Sequence, residues 1–240
     1  MNIKKMLIGG AASAVMFGAA LVPAFAATTY SLFGDATIVS TGNPGRAAQL
    51  ESNEPGGFAG VDLSTDTVTT LSDLTNLATD YNFTENSCGG GSPRFSVSLD
   101  NGAGDTGNMF VYIGPPPSYT ACPMNVWTNS GNLVTAAGLV DTTQLDGGTF
   151  YDPYSAALLK YGSYTITGIQ VVADGEWAFT GDQAVLVDNV QINSDIVTFE
   201  PNVPANKDTC KKGGWMILED ANGNTFKNQG QCVSYFNLNN

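Results

Sequence analysis

The sequence predicts an all-β protein: a jelly-roll-like β-sandwich with one or two short helices and a small disulfide-closed C-terminal tail. Three observations predict it. Short β-branched or alternating runs recur along the chain, separated by clusters of Gly, Pro, Asn and Asp. Four cysteines occur in a chain whose start reads as an export signal, so two disulfides are expected. Basic residues are scarce through most of the chain and return near its end, which marks off a tail of different composition.

The elements follow in chain order. Lys4 and Lys5 precede an apolar run from Met6 to Val22, and Ala24-Phe25-Ala26 offers small residues for cleavage. This is the pattern of a secretory signal over residues 1–26, with Ala27 opening the mature chain. The run is too short for a membrane span, and no later segment approaches spanning length. Residues 27–198 are expected to form the sandwich, and 199–240 a Pro/Asn linker and the closed tail. A first short helix is predicted over Thr70–Leu77, where Leu71, Leu74 and Leu77 recur at helical spacing behind a threonine cap. Cys88-Gly89-Gly90-Gly91-Ser92-Pro93 reads as a tight crossover pinned by its cysteine. Arg94–Leu99 alternates polar and apolar side chains. Met109–Ile113 is a continuous apolar strand stopped by Gly114 and Pro115-Pro116-Pro117. Tyr154–Leu159 can make one or two helical turns before Gly162. Tyr164–Val172 and Ala184–Ile192 are long β-branched runs, the second read as the final strand.

Composition excludes several classes of function. The net charge is −13, so nucleic acid and anionic membrane surfaces are poor partners. The sequence contains no histidine, which removes Ser-His-Asp and Cys-His catalysis and the usual zinc sites. No catalytic residue is assigned. Of the three ways to pair four cysteines, Cys88–Cys122 with Cys210–Cys232 closes the most local loops. The second pair closes about 20 residues, a crosslink worth about 3 kcal/mol by loop entropy.

Two sets of residues are candidates for binding. Asp100 and Asp105 flank a glycine-rich loop, and Asp146 and Asp152 a second one. Either loop could supply oxygen ligands to one structural Ca2+. The spacing does not follow the EF-hand pattern, and a plain hairpin loop accounts equally for the first pair. Tyr112, Tyr119, Trp127, Tyr151, Tyr154 and Trp177 offer aromatic faces amid many Asn and Asp residues. Such faces stack on the C–H surface of a sugar ring, or they fill a core. Glu51, Glu54, Glu85 and Glu176 fit no glycosidase signature.

Two stretches carry a resemblance. Asn206-Lys207-Asp208-Thr209-Cys210-Lys211-Lys212-Gly213-Gly214-Trp215, with Phe226-Lys227-Asn228-Gln229-Gly230-Gln231-Cys232-Val233-Ser234, resembles an element that closes uncharacterised secreted bacterial proteins. It implies export and a cysteine-bound tail. The body, through Gly90–Phe95, Tyr112–Pro115 and Val187-Asp188-Asn189-Val190, is similar to the upstream domain of such proteins, and its closing strand of the form V-D-N-V resembles that of jelly-roll carbohydrate-binding modules. That likeness implies a sandwich and assigns no binding residue. The expectation is therefore a secreted or cell-surface bacterial protein of non-enzymatic type that binds extracellular or cell-wall carbohydrate. A structural matrix protein and a carboxylate glycosidase are the alternatives. The tail lysines, Lys207, Lys211, Lys212 and Lys227, are expected to dock on the acidic body or on an anionic cell-wall polymer.

Overall fold

A computed structural model describes residues 28–53, 56–175, 178–179 and 181–239. The segment read as an export signal, Glu54, Glu176 and Trp177 lie outside the described residues. The first sheet has the order β1 (Thr29–Gly34), β4 (Ala59–Ser64), β11 (Thr165–Ala173), β6 (Arg94–Asp100) and β7 (Thr106–Tyr112). The second runs β2 (Ala36–Gly42), β3 (Gly45–Ser52), β12 (Gln183–Ile192), β5 (Leu77–Glu85) and β8 (Thr128–Asn129), with β13 (Asp195–Val197) also on β12. β9 (Leu139–Val140) and β10 (Asp152–Pro153) make a two-stranded ladder. All pairings between these strands are antiparallel, and the chain passes repeatedly from one sheet to the other, as in a jelly-roll-like sandwich.

Period-two burial builds the core. In β6, Phe95, Val97 and Leu99 point inward while Arg94 and Ser98 stay half-exposed. Register pairs Phe95 with Val111 of β7 and Val171 of β11. Opposite them, Val185 of β12 lies level with Phe83 of β5 and Leu50 of β3. Phe83, Phe95, Val97, Leu50 and Val185 are completely buried. Each large apolar side chain taken out of water contributes about 1.5–3 kcal/mol.

The crossing from β1 to β2 turns on Gly34. Its φ is +62°, and an added Cβ would collide with the Phe58 carbonyl oxygen, which accepts the Asp35 N–H at 3.0 Å. Only glycine fits both demands.

The leucine-spaced segment is corrected. Thr70–Leu77 is not a helix: a single 3₁₀ turn spans Leu71–Asp73, and Leu77 already opens β5. Asp73 accepts the Thr70 N–H at 2.8 Å and both Thr69 and Thr70 hydroxyls at 2.9 Å. Asn193 then takes the Thr75 and Asn76 N–H groups at 2.8 and 3.1 Å. Asp73 thus caps the start of the turn, and Asn193 captures the amides that would continue it as a helix. The leucines are buried all the same, by an extended path. A second correction concerns the last strand, since β13 follows β12 after a turn at Asn193. Three residues are too few to show periodicity. The predicted helix near residue 154 is present as α1 (Tyr154–Tyr161).

Both disulfides pair as expected, Cys88 with Cys122 and Cys210 with Cys232. The tail has its own small core of Cys210, Leu218, Phe226 and Cys232, with Trp215 against it. It also holds a helix absent from the sequence reading, α2 (Gln229–Asn239). Asn228 Oδ1 accepts the Gln231 N–H at 2.9 Å, and Gln231 Oε1 accepts the Lys227 N–H at 2.8 Å. Asn-x-x-Gln was the readable cap signal. The tail meets the body with the opposite sign from that expected. Arg46 of β3 packs on Gly223, beside Asp220, while Lys207, Lys211, Lys212 and Lys227 are exposed. Lys211 pairs within the tail to Asp208 at 2.6 Å.

Two stability effects are expected. Gly34→Ala should lower unfolding stability by about 2–3 kcal/mol in urea denaturation, from the left-handed backbone and the carbonyl collision. Asp73 is held well below its ordinary 3.8, at about 2, chiefly by the Thr70 N–H and then the threonine hydroxyls. A depressed carboxyl contributes above its unfolded pKa and loses that contribution as pH falls through the folded value. Asp73→Asn should therefore flatten the fall in melting temperature between 3.8 and about 2.

Candidate functional site

The strand alternation that buries Met109 and Val111 turns Phe110 and Tyr112 to the outer face of the first sheet. Tyr112, level with Arg94 on β6, closes β7. Loops from three other parts of the chain gather around its ring.

The first loop follows Tyr112. Gly114 has φ +139°, and an added Cβ would meet the sulfurs of Cys88 and Cys122 at 2.9 and 3.0 Å. The chain doubles back there, and the Tyr119 ring comes to 5.6 Å from Tyr112 at 61°. The second loop carries Phe150 and Tyr151 just ahead of β10, which pairs with β9. Their rings are 4.2 Å apart at 36°, and Tyr151 stands 6.0 Å from Tyr112 at 85°. Tyr151 also lies 5.8 Å from Tyr119. The third is the Gly90-Gly91 turn, with φ +61° and +82°. Gly89 and Ser92 exchange both N–H···O bonds at 3.0 Å, closing a two-residue hairpin. A Cβ on Gly91 would stand 3.1 Å from the Tyr112 ring.

The result is a cleft of about 370 Å³ lined by four rings, the two glycines and Ser118. Tyr112 and Tyr119 form its buried part, Tyr151 is half-buried, and Phe150 is 58% exposed. Tyr119 and Tyr151 have φ +51° and +59°. Positive φ at bulky residues is costly, and such residues concentrate at functional sites.

Hydrogen bonds hold the deep rings. Tyr112 Oη donates to Asp141 Oδ2 at 2.8 Å. Asp141 is itself fixed by two main-chain bonds with Phe110 and by the Thr143 N–H and hydroxyl. Tyr119 Oη donates to the Leu139 carbonyl at 3.3 Å. Burial pushes the Tyr112 hydroxyl far above its ordinary range, and the Asp141 bond pushes the same way. Burial likewise raises Tyr119. Both therefore stay protonated at neutral pH.

Of the six aromatic candidates, the fold brings Tyr112, Tyr119 and Tyr151 together. Tyr154 is buried, donating to the Leu74 carbonyl at 2.7 Å, so it ties α1 to the 3₁₀ turn. Trp127 is half-buried ahead of β8. Trp177 lies outside the described residues. Phe150 escaped the sequence reading, and its place beside Tyr151 in a glycine-led loop was the available signal.

Three of the four acidic candidates have hydrogen-bond or ion-pair partners within the fold. Asp100 accepts the Gly102 N–H at 2.6 Å. Asp105 accepts the Asp146 N–H at 3.1 Å and the Tyr164 hydroxyl at 2.7 Å. Asp152 pairs with Lys160 at 2.6 Å. Burial opposes ionisation there, but the Lys160 bond prevails and holds the Asp152 carboxyl below its ordinary range. Among the described residues, no three acidic, cysteine or histidine side chains gather as a metal site.

The Asp141 bonds support the cleft floor. Asp141→Ala leaves the buried Tyr112 hydroxyl without its acceptor and should cost about 1–3 kcal/mol in denaturant unfolding, with a changed near-ultraviolet tyrosine signal. Asp141→Asn, which retains an oxygen acceptor, should lose less.

No protein-family model matches the chain, and no curated protein matches it. Solved structures similar to it include the family 11 carbohydrate-binding module of cellulosomal cellulase Lic26A-Cel5E of Clostridium thermocellum. That match has a TM-score of 0.40 and 14% identity, over 69% of this chain and 85% of that one. An exo-β-agarase structure matches with a TM-score of 0.32 and 13% identity, over 73% of this chain and 24% of that one. At these values neither likeness carries a ligand or an activity over to this chain.

Proposed function

We propose that this is a non-catalytic extracellular protein that binds carbohydrate in the four-ring cleft. The observation that carries the reading is the convergence of Tyr112, Tyr119, Phe150 and Tyr151 on one open cavity, with two of the rings reachable from solvent. A pyranose offers C–H faces that pack on aromatic faces and hydroxyls that seek donors and acceptors. Gly90, Gly91 and Ser118 also line the cleft and add polar groups to its walls. Apolar walls with a few polar groups are the usual make-up of a small-molecule site.

The ring geometry bears on ligand size. Interplanar angles between the deep rings and their neighbours run from 43° to 85°, so the rings make a box rather than a flat strip. A box suits one or two sugar units, and a strip suits the side of a long polymer. The volume, about 370 Å³, agrees with the smaller ligand.

Binding is favoured over catalysis by what lines the cleft. No carboxylate does so among the described residues, and Asp141 lies behind Tyr112 with its oxygens engaged. Hydrolysis of a glycoside by carboxylates needs two of them flanking the bond. Export accords with two fully formed disulfides and no free cysteine.

A glycan array tests the reading, run with and without calcium. Retention of mono- to disaccharide epitopes is expected. Phe150→Ala and Tyr151→Ala should each weaken binding about 3- to 10-fold, in line with 0.5–1.5 kcal/mol of ring contact. Phe150→Ala should leave the melting temperature nearly unchanged, since its ring is mostly in solvent. Failure to retain any glycan under either condition would sink the assignment.

A further inference from the structure

Resting on the carbohydrate reading, we infer that the cleft prefers a sugar carrying a cationic amino group over its neutral or acidic counterparts. Three features of the box point the same way.

First, the deep hydroxyls have committed their protons elsewhere. Tyr112 donates to Asp141 and Tyr119 to the Leu139 carbonyl. What these two side chains have left for a ligand is ring face and oxygen lone pair. Both favour a ligand that brings protons and positive charge.

Second, the rings are inclined around a common space. Tyr112 stands at 85° to Tyr151 and 61° to Tyr119, and Phe150 lies 6.3 Å from Tyr112 at 53°. An aromatic face is the negative end of the ring quadrupole. Several faces about one cavity form the kind of cage that holds an ammonium group.

Third, the one positive charge described beside that space is already paired. None of the residues lining the cleft is charged. Arg94, the neighbour of Tyr112 on β6, donates to the Gly91 carbonyl at the cleft edge at 3.0 Å, but its charge is met by two bonds of 2.6 Å to Asp174, and it lies over the Phe110 ring at 4.7 Å. The chain as a whole carries −13, which draws cations toward it and repels anions. A uronate or phosphorylated sugar would set its charge against ring faces with no cation to meet it. A neutral sugar stacks without that penalty and without the added attraction.

Isothermal titration in slightly acidic, low-salt buffer separates the cases with four probes. They are the disaccharide of glucosamine, its di-N-acetyl form, cellobiose and a galacturonate disaccharide. N-acetylation removes the charge at the same ring position. The amine form should bind about 3- to 30-fold more tightly than the N-acetyl form or cellobiose, the span of cation–ring attraction from wet to desolvated sites. The ratio should shrink with added salt. Phe150→Leu keeps apolar cover but deletes a ring face, and it should drive the ratio toward one in a protein that still melts as the wild type does. A wild-type ratio of one, or tighter binding of the galacturonate probe, overturns the amine preference and leaves the carbohydrate reading in place. No binding of any of the four also overturns the amine preference, while the carbohydrate reading is decided separately by the glycan array.

Discussion

Everything in this molecule hangs on the burial of two facing apolar layers. Phe95, Val97 and Val111 on one sheet meet Phe83, Leu50 and Val185 on the other, and none touches water to any extent. Because strand side chains alternate, burying Val111 forces Tyr112 outward. A one-residue slip would send Tyr112 into the core and Val111 to the surface. The cleft is thus a by-product of the register that fills the core, with the floor residue chosen by parity.

Loops supply the walls, and they are held by constraint more than by area. The Cys88–Cys122 bond joins the glycine turn to the loop that carries Tyr119. Ser87 donates to the Cys122 carbonyl at 2.9 Å across the same junction. Gly114 lets the chain pass against both sulfurs. On the far side, β9 and β10 form a short ladder, and Asp152 is clamped by Lys160 from α1. Two aromatic residues are held at positive φ between these anchors. Such conformations persist only where the surroundings over-determine them. The box is therefore preformed, which spares a ligand the entropy of ordering it.

The tail is a separate small core attached by few contacts. Its disulfide, Phe226 and Leu218 do the work that a larger apolar interior does in the body. The Glu219 N–H reaches the Asn202 carbonyl at 2.9 Å, and Arg46 packs on the Asp220–Gly223 turn. The basic partner in that contact belongs to the body. Counting lysines located the excess charge of the tail correctly but not the direction of the attraction, because one well-placed guanidinium outweighs several exposed ammonium groups.

Local pattern determined a good deal. The alternating run Arg94–Leu99, the apolar run Met109–Ile113 and the two long β-branched runs became β6, β7, β11 and β12, since a two-residue period is a property of neighbours in the chain. Cysteine spacing determined both pairings. Leucine spacing at 71, 74 and 77 misled, because Asn193, 118 residues from Thr75, captures the amides that would have continued the turn, and that outweighs three well-spaced side chains. The grouping of the four rings was decided only in three dimensions. Tyr112 ends β7, Tyr119 lies in the loop after it, and Phe150 and Tyr151 share a loop some thirty residues on, while Tyr154, a tyrosine like three of them, went to the core instead. Which rings meet depends on how those loops close over one sheet edge, and that is set by long-range register and a crosslink, neither of which leaves a local period in the sequence.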